Sequence, residues 1–142
     1  MNRISEDQVR AQVHKFWNIL SGKSQESLDS FYMPEAIVFT GKARRVEPAP
    51  LAAARRTRQL SSTAADSAVE LGAMDVQIVS NVAVVSYTYQ FSSMMTGSDG
   101  KRLQRKTSYG RATQIFTVSE NGALKIMHEH LSAGENPAVE KS

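Results

Sequence analysis

A chain of 142 residues, 41% hydrophobic and 22% charged, has the size and composition of one globular domain, so disorder is not the default. It contains no cysteine, so disulfide frameworks, thiolate metal sites and cysteine nucleophiles are excluded together. A net charge of +3 is too small to imply a nucleic-acid partner, and the apolar runs are too short for a membrane span. MNRISEDQVR at the start is too polar for a signal peptide, and the expected location is the cytoplasm.

The first element reads as a helix. Ser5 can cap it, Gln8 completes a capping box, and Ile4 and Val9 flank that box as a hydrophobic staple. Val9, Val13, Phe16, Trp17 and Leu20 recur at helical spacing, and Gly22 closes the run. A second short helix is expected from Ser24, carrying Leu28, Phe31 and Tyr32 and ended by Pro34. AIVFT (36–40) has the composition of a short strand, and LAAARRTRQL (51–60), introduced by Pro48 and Pro50, that of a third helix. Residues 61–67 read as a polar connection. Strands follow: VELGAMDVQIV (69–79), a Ser-Asn turn, VAVVSYTYQFSSMM (82–95), the Gly-rich loop TGSDGK, RKTSYGRATQIFTV (105–118), the turn SENG, and ALKIMHEHLS (123–132).

Helices followed by long antiparallel strands predict an α+β fold, one domain over residues 1–133 with a flexible tail at 134–142. The first helix must bury its stripe on the sheet. A strongly twisted sheet curved around a helix leaves a conical interior suited to a small ligand.

RATQIF (111–116), the turn ENG (120–122) and LKIMHEHLSA (124–133) resemble the end of nuclear-transport-factor-2-like (cystatin-like) domains. This superfamily includes ketosteroid isomerases, SnoaL-like cyclases and the association (hub) domain of calcium/calmodulin-dependent kinase II. The resemblance spans nearly the whole chain and implies a cone-shaped domain that pairs through its outer sheet face. It carries no activity by itself, because function belongs to the site and not to the fold. The isomerase acids do not transfer: the base falls near Thr40, the tyrosine donor near Lys15 or Phe16, and the second acid near Ala112. The arginines of hub-type pockets fall at Tyr89, Gln114 and Leu131, none of them cationic.

The pair His128 and His130 shares one strand face, and Glu129 points to the other. A metal needs three or four ligands, and the third histidine, His14, lies on the first helix, so no metal and no organic cofactor are expected. The resemblance implies a structural place for the two histidines, on the face between subunits.

Strand parity places Val85, Tyr87, Tyr89 and Phe91 on one face, Ala112, Gln114 and Phe116 on another, and Met127, Glu129 and Leu131 on a third. If these face inward, the interior is aromatic, with Glu129 and Gln114 as its polar groups and Trp17, Tyr32 and Phe39 added from the preceding elements. Ligand contacts are then Trp17, Tyr32, Phe39, Tyr87, Tyr89, Gln114, Phe116 and Glu129, with Glu129 the candidate acid or base. The other reading of Glu129 is an exposed carboxylate, or one paired with Arg111. The basic clusters ARRTR and KRLQRK read as solvated surface.

Two functions are consistent with these residues. One is a SnoaL-like binder, or cofactor-independent enzyme, for a small apolar molecule. The other is an association module without activity, with Ile115, Leu124, Ile126, His128 and His130 on its outer face. A homodimer is expected in both. A bulge in the long strands would reverse the facings assigned beyond it.

Overall fold

The computed structural model describes residues 4–21, 28–40, 47–48, 67–96 and 103–133. Helix α1 (Glu6–Leu20) begins at the expected capping box: the Gln8 amide N–H donates to Ser5 Oγ at 3.1 Å and the Ser5 N–H to Gln8 Oε1 at 3.0 Å. Ile4 and Val9 are both buried beside it. Its inward stripe is Val9, Val13, Phe16, Trp17 and Ile19, with Leu20 half-buried at the margin. Ser21 caps its end and donates its N–H to the Trp17 carbonyl at 2.9 Å; the expected stop at Gly22 lies outside the described residues. No helix among the described residues is long and apolar enough to cross a membrane.

Among the described residues seven strands form one mixed, mostly antiparallel sheet: β1 (Tyr32–Thr40), β2 (Glu47–Pro48), β3 (Ser67–Leu71), β4 (Asp75–Val79), β5 (Val82–Thr96), β6 (Leu103–Val118) and β7 (Leu124–Ala133). Their order is β2-β1-β7-β6-β5-β3, with β4 also paired to β5. The last strand therefore enters beside the first. β1 and β7 run parallel, and every other pairing is antiparallel. The β5–β6 hairpin is the backbone of the sheet, paired continuously from Val82↔Thr117 to Thr96↔Leu103. Ser80 takes a positive φ of 58° in the tight turn before β5, and Gly122 one of 85° in the turn before β7.

Three local expectations are corrected. Among the described residues a 3-10 turn, Leu28–Phe31, leads into Tyr32, where β1 starts and runs through Pro34; the start expected at Ser24 lies outside the described residues. Proline is tolerated because the β1–β7 pairing is interrupted between Tyr32↔Ile126 and Ile37↔His128, where no ladder N–H is required. The run 69–79 is two strands, broken at Gly72 to Met74. Gly72 donates its N–H to the Thr88 carbonyl at 2.9 Å, and a Cβ at Gly72 would collide with Thr88 Oγ1. The third correction is a bulge in β7: Phe116 pairs with Ile126 and Ile115 with His128, leaving Met127 as the extra residue. Ile126 is therefore buried, whereas Met127 is 42% exposed, the reverse of the alternation counted from Glu129. Leu124, expected outside, packs half-buried against the core. The expected helix at 51–60, the expected loop 96–101 apart from Thr96, which ends β5, and the tail 134–142 lie outside the described residues.

Candidate functional site

Register arranges the inner face as cross-strand rows. Ala83, Phe116, Ile126 and Tyr32 form one row; Val85, Gln114, Glu129 and Val38 the next; Tyr87, Ala112 and Leu131 a third. Large and small side chains alternate across β5 and β6, so Tyr87 lies opposite Ala112 and Tyr89 opposite Gly110. A Cβ at Gly110 would penetrate the Tyr89 ring, so glycine supplies the slot in which that ring lies. Sequence reading missed this role. Its signal was a glycine inside a strand run, at the position facing an aromatic residue.

The middle row is polar in an apolar surrounding. Gln114 and Glu129 are fully buried, and Trp17, Tyr32 and Tyr87 are at most 5% exposed. Hydrogen bonds join all five. Trp17 Nε1 donates to the Tyr87 hydroxyl at 2.7 Å, and that hydroxyl donates to Gln114 Oε1 at 2.8 Å. Gln114 Nε2 donates to Glu129 Oε2 at 2.7 Å, and the Tyr32 hydroxyl lies 3.1 Å from each Glu129 oxygen. Glu129 is thus neither exposed nor held by Arg111, which is exposed on the outer face in register with Thr88 and Ser132.

Aromatic rings extend the site along β5. Trp17 lies against Tyr89 with ring centroids 4.5 Å apart and against Phe91 at 6.5 Å, while Tyr87 and Phe16 meet it edge-on. Tyr89 and Phe91 are half-buried, farther from the polar row than Tyr87. Of the eight expected ligand contacts, five are members of the hydrogen-bonded chain and Tyr89 stacks on its indole end. Phe116 is fully buried in the apolar row beside it. Phe39 pairs in register with His130, and its side chain lies outside the described residues.

The outer face carries His128 and His130, half-buried and exposed respectively, and His14 is exposed on α1. Among the described residues no three histidine or carboxylate side chains gather at one point. An outer row runs Ile37, His128, Ile115, Val84, Gln77, with Ile37 43% exposed and Met127 beside it.

Solved structures decide the fold. The fold is that of the nuclear-transport-factor-2-like proteins. A protein of this NTF2-like family from Streptomyces avermitilis, named as a candidate dehydratase, superposes with a TM-score of 0.75 at 16% identity, over 92% of this chain and 96% of its own. The hub homology domain of the kinase from Chlamydomonas reinhardtii gives 0.72 at 17% identity, covering 91% and 98%. An NTF2-like superfamily protein from Salmonella enterica gives 0.70 at 17%, covering 96% and 95%. No protein-family model and no curated protein sequence matches the chain. At these identities the likeness extends to the NTF2-like fold and not to an activity.

Proposed function

We propose that this NTF2-like domain binds a small, largely apolar molecule inside the sheet, with Glu129 as the polar contact and Trp17, Tyr87 and Tyr89 as the aromatic wall. One observation carries the reading: five polar side chains are buried in a directional chain where an apolar core would fill the space at lower cost. Buried polar groups of this kind demand complete satisfaction, and a row ending on a carboxylate suits recognition or proton transfer better than packing. Any chemistry at the site would use Glu129 as acid or base, held by Tyr32 and Gln114. Native mass spectrometry on the purified chain, followed by denaturation, tests the reading. A released organic molecule supports it, and soaking experiments that leave the protein mass unchanged across a library of apolar compounds oppose it.

A second reading is supported by the outer face. Ile37 and Met127 are exposed beside Ile115 and Val84, an apolar stripe that a second copy of the chain would cover. Self-association through this face is compatible with an interior site, and the same spectra give the assembly mass. A cytoplasmic location accords with the cysteine-free composition.

A further inference from the structure

We propose that Asn121 is a modification site, an asparagine that deamidates spontaneously through a succinimide, and that the hydrogen bonds of the β6–β7 turn hold this reaction in check. The inference is independent of the interior site and rests on the turn.

Asn121 and Gly122 form the single Asn-Gly pair of the sequence. Asparagine is a heat-labile residue, because its carboxamide carbon is open to attack by the backbone nitrogen of the next residue. A side chain on that next residue crowds the nitrogen, and glycine has none. Asn18 and Asn81 precede Ile19 and Val82, whose branched Cβ atoms obstruct the same approach. Asn121 and Gly122 are both exposed, so water reaches the pair.

The turn commits the reacting atoms elsewhere. The Gly122 N–H donates to the Ser119 carbonyl at 2.9 Å, and the Ser119 N–H to the Ala123 carbonyl at 2.8 Å. The Ala123 N–H donates to Asn121 Oδ1 at 3.3 Å, and since a backbone N–H only donates, the atom it meets is the carbonyl oxygen of the side chain. The Ser119 hydroxyl meets that same oxygen and is therefore the donor there, with the Ala123 carbonyl at 3.1 Å as its second neighbour. Ring closure swings the carboxamide onto the Gly122 nitrogen and rotates the peptide between the two residues. Both bonds to Oδ1 and the bond from the Gly122 N–H are lost in that movement. Deamidation thus proceeds from the opened turn, and its rate follows how often the turn opens.

The chemistry needs only water. The Gly122 nitrogen bonds to Asn121 Cγ and gives up its proton, the Cγ–Nδ2 bond breaks, and Nδ2 leaves as ammonia. Water then opens the imide at either carbonyl. One opening leaves an aspartate, whose side-chain oxygen still accepts from Ser119 and Ala123. The other leaves an isoaspartate, which routes the main chain through Cγ and lengthens the turn by a methylene. β6 and β7 are paired from Val118↔Leu124 onward, so the extra atom falls where the register of the Glu129 strand is set.

The full-length protein is held at mildly alkaline pH, folded and in guanidinium chloride, and followed by intact mass and peptide mapping. Each event replaces NH by O in the mass. The unfolded chain should gain this mass at position 121 ahead of Asn18 and Asn81. The folded protein should gain it more slowly by about tenfold or more, as hydrogen bonds that open together imply. Ser119→Ala removes one bond to Oδ1 and should speed the folded reaction by about three- to tenfold, with the unfolded rate unchanged. After refolding, the isoaspartyl species should melt below the Asn121→Asp variant, which keeps the side-chain oxygen. A folded rate equal to the unfolded one, or a Ser119→Ala rate equal to that of the unaltered folded protein, overturns the restraint. Equal melting of the two products overturns the effect on β7, and no mass gain at position 121 in the unfolded chain overturns the site itself. Should Ser119→Ala fail to fold by circular dichroism, the ratio of folded to unfolded rates in the unaltered protein decides.

Discussion

Tyr87→Phe is the sharpest probe of the interior chain. It deletes one oxygen and keeps the ring, so packing against Trp17 changes little. Two buried groups lose a partner together: the Trp17 indole N–H, 2.7 Å away, and Gln114 Oε1, 2.8 Å away. Each stranded group costs about 1–3 kcal/mol, giving about 2–6 kcal/mol for the pair. At roughly 2–4 °C of Tm per kcal/mol for a chain of this size, a loss of about 8–16 °C is expected at the centre of that range. Urea unfolding followed by far-UV circular dichroism is the suitable assay, because Trp17 emission would respond to the substitution directly. The decisive comparison is the double variant with Gln114→Leu. Once Gln114 is gone, Tyr87→Phe strands one group fewer, so the two costs should fall short of additive by about 1 kcal/mol. A single-variant cost below about 0.5 kcal/mol, or strict additivity, refutes the chain as a coupled unit.

Gly110→Ala should cost about 1–3 kcal/mol by driving the Tyr89 ring from its slot, and should shift Trp17 emission because that ring lies 4.5 Å away; Tyr89→Ala in the same background should recover most of the loss in a melting experiment. Ser5→Ala removes one half of the capping box and should lower stability by about 1 kcal/mol in urea titration, with ligand binding unaffected. Ile37→Glu, on an exposed outer position, should leave circular dichroism unchanged while sedimentation velocity shows a smaller species; an unchanged sedimentation coefficient for a wild-type dimer removes the outer face from the interface.

The legible parts of the fold were those written in local chemistry. Ser5 and Gln8 mark the start of α1, period 3.6 marks its buried face, and the Ser-Asn and SENG turns separate the late strands. Tyr32 was misread as helical because Pro34 is a helix stop in isolation, whereas here it occupies a gap in the β1–β7 ladder that only the neighbouring strand creates. Alternation set Glu129 on the face opposite His128 and His130 but did not say which face is inward; the pairing of β7 with β6 and β1 buries Glu129. The same count failed at Met127, since alternation carries across a bulge only if the partner strand is known. The hydrogen-bonded chain was half legible: Tyr87, Gln114 and Glu129 were grouped by parity. That Tyr32 and Trp17 would close the two ends depends on where a helix and the first strand lie over the sheet, which no local spacing encodes.

Glu129 and the two histidines make β7 the strand on which the interior and the outer face meet. Its register is fixed by β6 on one side and by β1 on the other, so Glu129 is aligned with both Gln114 and Val38 while His128 is aligned with Ile115 and Ile37. The Met127 bulge sits immediately before this segment and sets the facing of the residues after it. Without it, continuation of the alternation from buried Ile126 would place His128 inside and Glu129 outside, exchanging an interior acceptor for an imidazole and putting a carboxylate among the exposed apolar residues. The extra residue is therefore a condition for the polar row and the apolar outer row alike. A bulge weakens pairing locally, and burying a carboxylate costs more than burying a leucine. Two departures from the most stable sheet thus lie next to each other, and together they create the buried polar row.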